Sequence, residues 1–127
     1  NAVAIDMAAR ARQRGIKTIG LTSIAYSQGV KSRHPSGKRM SDFCDVVIDN
    51  CAPYGDAAVG IRCLRQKTGP ISSLTGIAIV NAMVAETIAI LVRKGVTPPV
   101  FMSANLDGGD EWNAKLLKRN AKRIHYM

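Results

Sequence analysis

Residues 17–50 read KTIGLTSIAYSQGVKSRHPSGKRMSDFCDVVIDN, and this stretch decides the fold class. It begins with Lys17–Thr22 and ends near Asp45–Asp49, two short runs with aliphatic residues at their centres. Aliphatic residues on both faces are typical of central strands in a parallel sheet, with helices covering each side. Between the two runs lies a long polar, basic loop over residues 23–39. The pattern predicts an α/β fold whose parallel strands end beside polar loops.

Local signals predict the remaining elements along the chain. Capping residues, Gly and Pro, and the spacing of apolar residues set their bounds. In order, we expect a helix over residues 2–14 closed by Gly15, a helical turn over 41–44, a loop over 50–56, a strand over 57–63, a break at Thr68–Pro70, a helix from Ser72 or Ser73 to about Lys94, a strand over 100–104, a loop over 105–110, and a helix over 111–123 capped by Asp107 or Asp110.

The long helix is apolar almost all round from Gly76 to Val92. Two interpretations fit this composition, a core helix and a membrane span. Glu86 lies in mid-helix, where a charged side chain would cost roughly 2.5–3.5 kcal/mol on an insertion scale. The sequence therefore favours a buried core helix, and we expect no association with a membrane.

The start of the chain bears on its domain organisation. At 127 residues the chain is at most one domain. It begins almost directly with a helix, whereas the first helix of an α/β domain normally follows a strand. We therefore expect residues 1–127 to be the C-terminal portion of a single domain, whose N-terminal strands and phosphate loop come before Asn1.

The net charge of +9 points to an anionic partner. A phosphorylated metabolite, a nucleic acid or an acidic surface would each fit, as would basic residues that simply decorate solvated helix faces. Nucleic acid is the less favoured partner because the basic terminal helix has no interleaved aromatic residues and no reading motif. Most of the cations are expected to be solvated.

Cysteine and histidine usage gives the compartment and excludes common metal sites. Cys44, Cys51 and Cys63 are odd in number and form no CxxC pair, which favours reduced thiols and a cytoplasmic location. The chain has two histidines, and their spacing matches no metal motif. We predict neither a metal nor another cofactor.

The loop over residues 23–39 is the main candidate site. Ligands of open parallel sheets bind at the carboxyl ends of the strands, which is where this loop begins. His34 can exchange protons near neutral pH, which makes it a candidate catalytic residue. The candidate substrate-binding residues of the loop offer hydroxyl groups or positive charge, and they are Ser23, Ser27, Arg33, Ser36, Lys38 and Arg39. A solvated surface loop is the alternative for each residue taken singly.

Two further sites are predicted outside that loop. The loop over residues 50–56 leaves the neighbouring strand at the same sheet edge, so Tyr54 and Asp56 are candidates for binding sugar hydroxyls, although turn chemistry explains Asp56 equally well. Glu86 in its apolar helix is a candidate general base, because burial raises the pKa of a carboxylic acid. A place at a subunit interface or an ion pair with an arginine is the competing interpretation of Glu86.

Three segments resemble sugar isomerase (SIS) domains: NAVAIDMAARARQRGIKTIGLTS, SRHPSGKRMSDFCDVVIDN and VFMSANLDGGDEWN. They are most similar to a bacterial SIS subfamily often described as similar to phosphoheptose isomerases. The resemblance implies a three-layer, flavodoxin-like parallel sheet between helices, usually in a dimer or tetramer. It also implies that Asn1 ends the phosphate loop and that Ser23 supplies the hydroxyl at the end of the next strand.

By this resemblance, the chain is expected to bind a phosphorylated sugar and to take part in aldose–ketose isomerisation. The family's isomerases use a Glu base and often a His for ring opening. A non-catalytic phosphosugar sensor is the first alternative, and a nucleotide-binding domain with a similar sheet is the second.

Overall fold

In the computed structural model, which describes residues 2–123, the strands β1 (Ile19–Thr22) and β2 (Val46–Asp49) lie side by side in parallel. Ile19 pairs with Val46 and Thr22 with Asp49, so both strands end at the same edge. Their parallel pairing was predicted. The expectation that both faces are buried is wrong, since Ile19 is 56% exposed and Val46 52% exposed.

Helix and strand bounds confirm a mixed α/β chain, which divides into two compact units at Met83 and Val84. After β1 come helix α2 (Ile24–Gly29) and the 3₁₀ turn Met40–Phe43, and after β2 come β3 (Ala57–Val59) and β4 (Thr68–Pro70). The remaining elements are helices: α1 (Ala2–Gln13), α3 (Ser72–Arg93), α4 (Gly109–Asn120) and the 3₁₀ turn Ala121–Arg123. Over the described residues the strands form two separate pairs, one parallel and one antiparallel.

The first helix ends as its sequence predicts. Gly15 has a φ of +69°, the left-handed conformation that closes a helix and that glycine adopts without strain. Ile5 and Ala8 are buried, whereas Val3 on the same helix is 72% exposed. The Arg12 Nη1 atom donates a 2.9 Å hydrogen bond to the carbonyl of Asp42, which joins α1 to the 3₁₀ turn before β2.

Two predictions for the first unit are corrected. The segment after β1 is not loop throughout, because Ser23 caps the short helix α2 by accepting a hydrogen bond from the Tyr26 N–H. Thr68–Pro70, predicted as a break, is strand β4 and pairs antiparallel with β3. The strand predicted over residues 57–63 is shorter, since β3 ends at Val59.

The long helix has the predicted bounds but not the predicted surroundings. Helix α3 runs from Ser72 to Arg93, and none of its residues is buried. Its burial as a core helix is therefore not observed in this chain. By length and composition alone, α3 is the one helix among the described residues that could cross a bilayer.

In the second unit, residues 100–104 form no strand, contrary to the prediction. They are tied to α4 instead: Asn113 accepts a hydrogen bond from the Met102 N–H and donates one to the Met102 carbonyl, at 2.9 and 2.8 Å. The predicted Asp caps of this helix are also wrong. The N-cap is Gly108 in the left-handed conformation, with no side-chain cap.

Candidate functional site

The carboxyl ends of β1 and β2 are joined by a set of short hydrogen bonds. Ser23 Oγ donates to the Ala52 carbonyl at 2.6 Å, and Asp49 Oδ1 accepts from the backbone N–H groups of Ile24 and Cys51. Ser23 is only 7% exposed. Its hydroxyl proton is thus used in holding the two loops together and its oxygen in capping α2, although the sequence predicts it as a ligand-binding group.

Arg39 holds the far end of the 23–39 segment. Its Nε atom donates to the Ser27 carbonyl at 2.8 Å and its Nη2 atom donates to the Val30 carbonyl at 2.9 Å. These carbonyls lie at the end of α2, where backbone acceptors have no partner within the helix. A cation there also compensates the partial negative charge of the helix terminus. Arg39 therefore fixes the shape of the segment as well as its charge.

An open cleft of about 600 Å³ lies in the first unit beside these strand ends. It brings together part of the predicted site. The predicted residues that line it are Ser23, Ser27, Arg33, His34, Arg39 and Asp56. Ser36, Lys38 and Tyr54 are not among the lining residues. Asn1 lies outside the described residues, and Glu86 belongs to the second unit.

Positive charge predominates along this cleft. Lys31, Arg33 and Arg39 line it, and Asp56 is the one carboxylate among the described residues that do. Lys31 and Arg33 are exposed, and neither has an ion-pair partner within residues 2–123. Thr22, Ser27, Ser32 and Ser72 also line the cleft, but Ser32 and Ser72 already donate their hydroxyl protons to the Lys38 carbonyl and to Asp56. Cations together with the hydroxyls of Thr22 and Ser27 suit a phosphate or another anion.

The Asp56 carboxylate is occupied at the start of α3. Its Oδ1 atom accepts from the N–H groups of Ile71 and Ser72, and its Oδ2 atom accepts from the Ser72 hydroxyl at 2.8 Å. The Ser72 hydroxyl bond, followed by the backbone bonds, holds the pKa of Asp56 below its ordinary value. Asp56 thus stabilises the N-terminus of a helix, where a negative charge is favourable.

His34 is bonded at both ring nitrogens. Nδ1 lies 2.6 Å from Ser36 Oγ, and Nε2 lies 2.9 Å from Asp6 Oδ1 on helix α1. The His34 side chain is 16% exposed, so it is more enclosed than the sequence predicts for a loop residue. Nevertheless it lines the cleft, which keeps it within reach of a bound molecule.

Tyr54 packs on Tyr26 of α2. The two rings meet edge to face, with their centroids 5.3 Å apart, an arrangement that aromatic pairs prefer. Tyr54 is still 64% exposed. It therefore keeps its hydroxyl-bearing ring at the surface of the first unit while bracing α2.

The second predicted catalytic residue, Glu86, is not a buried carboxylic acid. Its side chain is 63% exposed, and Oε1 lies 2.8 Å from Arg93 Nη2. The competing interpretation, an ion pair with an arginine, describes this residue in the structure.

Sequence reasoning missed two residues of this region. Lys31 lines the cleft and was passed over among the other cations of its loop. Asp6 was missed because its link to His34 spans 28 positions. A possible signal was its place in the first turns of a helix that carries no other carboxylate.

The geometry defines an α/β chain with a cationic cleft at the carboxyl ends of two parallel strands. No protein-family model matches it. The chain is 47% identical to the UPF0309 protein of Shouchella clausii, 46% identical to that of Oceanobacillus iheyensis and 40% identical to that of Thermoanaerobacter pseudethanolicus, over its whole length in each case. These names state no activity. The chain spans about half the length of these curated relatives, 52% of each.

Proposed function

We propose that this chain contributes to the binding of a phosphorylated sugar in the cleft beside β1 and β2. The observation that carries the proposal is the pair of exposed cations, Lys31 and Arg33, in a cleft that the hydroxyl-bearing residues Thr22 and Ser27 also line. A phosphate needs charge and donors, and a sugar needs short polar groups beside them. The cleft offers both within one compact unit.

The resemblance to SIS domains supports the same ligand. It also supports the finer fold, a three-layer flavodoxin-like parallel sheet to which the β1–β2 pair would belong. We propose this sheet, a cytoplasmic location and a homodimeric or homotetrameric assembly for the whole protein. Ligands of such sheets bind outside the carboxyl ends of the strands, where this cleft lies.

Isomerisation between an aldose and a ketose phosphate is the proposed reaction. A base removes a proton from the carbon beside the carbonyl, an enediol forms, and the proton returns to the neighbouring carbon. His34 is the residue proposed for proton transfer, because an imidazole changes charge near neutral pH and this one lines the cleft. The cations would hold the phosphate while the sugar carbons react.

A non-catalytic phosphosugar sensor is the second candidate. The surroundings of Glu86 favour it, because this carboxylate is exposed and paired with Arg93 rather than buried. A sensor would need the cleft and its cations but no base. The two candidates therefore share a ligand and differ in turnover.

Ligand-induced stabilisation tests the shared claim. A molecule that binds only the folded state raises the unfolding temperature. We expect a panel of hexose and heptose phosphates to contain one that stabilises the protein more than its unphosphorylated sugar does. Lys31→Gln and Arg33→Gln should each weaken that binding by about tenfold, since charged hydrogen bonds are lost.

The matched control is Lys115→Gln, which removes the same charge from an exposed position of α4. It should bind the sugar phosphate like the wild-type protein. If all three variants weakened sugar-phosphate binding equally, the lower net charge of the protein would explain the loss, and the cleft would have no specific role. Equal shifts with phosphorylated and unphosphorylated sugars would overturn the phosphosugar proposal. Conversion of the bound sugar phosphate would then separate isomerase from sensor.

A further inference from the structure

A directed chain of hydrogen bonds runs through His34 to helix α1. The Lys38 N–H donates to Ser36 Oγ at 3.2 Å, Ser36 Oγ lies 2.6 Å from His34 Nδ1, and His34 Nε2 lies 2.9 Å from Asp6 Oδ1. Asp6 was not expected to take part in any site. This series of hydrogen bonds joins the backbone N–H of Lys38 at one end to the carboxylate of Asp6 at the other.

Two contacts of the His34 ring determine which ring nitrogen carries the proton. The backbone N–H of Ser36 lies 3.2 Å from His34 Nδ1 and can only donate, so Nδ1 must accept. An ionised Asp6 can only accept, so Nε2 must donate to it. Both ends of the ring therefore select the neutral imidazole with its proton on Nε2.

The loop around His34 is held independently of its ring. Ser32 Oγ donates to the Lys38 carbonyl at 2.6 Å and accepts from the His34 N–H at 3.2 Å. The ring itself is mostly enclosed, with 16% of the side chain exposed, whereas Asp6 is 68% exposed. Asp6 thus approaches from the outside, on a regular helix, toward a ring whose backbone is already fixed.

We propose that Asp6 is the positioning residue of His34, holding the imidazole with its proton on Nε2 so that Nδ1 is the basic nitrogen. His34 itself lines the cleft. A proton accepted at Nδ1 gives an imidazolium that is paired with the Asp6 carboxylate. The catalytic meaning of this arrangement rests on the proposed function, but the selection of one tautomer does not.

The tautomer is measured directly by nitrogen NMR of ¹⁵N-histidine-labelled protein without any ligand. His34→Gln identifies the signals of His34 by their loss. We expect a protonated Nε2 and an unprotonated Nδ1 in the wild-type protein. Asp6→Asn, which can donate as well as accept, and Asp6→Ala should each lower the ratio of the two tautomers by about tenfold, the lower end of the effect expected for losing a hydrogen bond to a charged group.

Asp107→Asn is the matched control, because it removes the same charge from a residue of the second unit. It should leave the ratio unchanged. A protonated Nδ1 in the wild-type protein would overturn the assignment. An unchanged ratio in both Asp6 variants would overturn the positioning role, leaving the Ser36 backbone as the group that selects the tautomer.

Turnover of a sugar phosphate forms a separate arm. If the protein is an isomerase, Asp6→Asn should lower kcat with little change in KM, since Asp6 does not line the cleft. A shifted tautomer ratio in the Asp6 variants of a protein with no turnover would support the positioning role and overturn the isomerase. Normal kcat in Asp6→Asn despite a shifted ratio would overturn the catalytic use of this arrangement.

Discussion

The Asp56 carboxylate shows how one side chain can be assigned by sequence to a ligand and used by the fold instead. It accepts three hydrogen bonds from Ile71 and Ser72, which lower its pKa. A carboxyl group with a lowered pKa in the folded state stabilises that state above its unfolded pKa. That stabilisation is lost as the pH falls through the folded pKa, below about pH 4.

Asp56→Asn should therefore lower stability at pH 7 and reduce the loss of stability between pH 7 and pH 3. Urea unfolding followed at both pH values measures both effects. The variant should keep part of the acid sensitivity, because the pKa of Asp45 is also lowered, chiefly by its hydrogen bond with Lys17. Asp107→Asn is the control and should behave like the wild-type protein. An Asp56→Asn variant as stable as the wild type at pH 7 would contradict the capping role.

Gly109 is a position where a single methyl group should be disruptive. A Cβ atom there would lie 2.3 Å from the carbonyl oxygen of Ser103, which is backbone and cannot turn aside. Gly109→Ala should destabilise the second unit by about 1–3 kcal/mol or more, as overpacking does.

Gly76→Ala is the matched control for that variant. A Cβ atom at Gly76 would lie 3.6 Å from Leu21 Cδ2, an ordinary contact, within helix α3. Alanine should stabilise the helix there by roughly 0.5–1 kcal/mol. Opposite signs in thermal unfolding of the two variants are expected, and equal effects would show that helix propensity alone governs both positions.

Strand β1 lies against the 3₁₀ turn that precedes β2, and Gly20 makes that approach possible. A Cβ atom at Gly20 would lie 2.8 Å from Cys44 Sγ and 3.2 Å from Met40 Cε. Gly20→Ala should cost about 1–3 kcal/mol of stability. Adding Cys44→Ala removes the nearest atom, so the double variant should recover part of the loss. If urea unfolding shows that the two substitutions change the free energy of unfolding additively, the loss in Gly20→Ala does not come from contact with Cys44.

Elements with complete local signals could be predicted from the sequence, and those held by distant side chains could not. Gly15 ends α1 and two aliphatic runs form β1 and β2, as expected. Residues 100–104 have the composition of a strand, but Asn113 takes both backbone groups of Met102 and leaves no partner strand there within residues 2–123. The hydroxyl of Ser23 was interpreted as a ligand-binding group, but in the structure it caps the N-terminus of α2.

The candidate site followed the same rule. Placing a basic, hydroxyl-rich loop at the end of a parallel strand was enough to predict Arg33, His34 and Arg39 along one cleft. The sequence could not show that Arg39 binds carbonyls at the end of α2, nor that Asp6 reaches His34 from α1. Those contacts depend on the packing of a helix against a loop, which no local pattern encodes.

Across the whole chain, little apolar surface is buried. Ile5, Ala8, Ala52 and Leu116 are the buried hydrophobic residues of the part the structure describes, while many large aliphatic side chains are exposed. Both outer edges of the β1–β2 pair also lack a partner strand within residues 2–123. Exposed apolar surface and open strand edges both favour association with another polypeptide.

We therefore predict that the 127-residue chain, expressed by itself, self-associates or aggregates and binds sugar phosphate more weakly than a protein with the full length of its relatives. Light scattering after size-exclusion chromatography, over a range of concentrations, measures the association. Leu74 and Ile77, which are 70% and 63% exposed, lie three positions apart on one side of α3. Replacing both with Gln should reduce association, whereas Lys115→Gln, which removes no apolar side chain, should not. A monodisperse monomer that unfolds cooperatively and binds a sugar phosphate tightly would contradict this prediction, because it would require the exposed apolar surface to be tolerated in water.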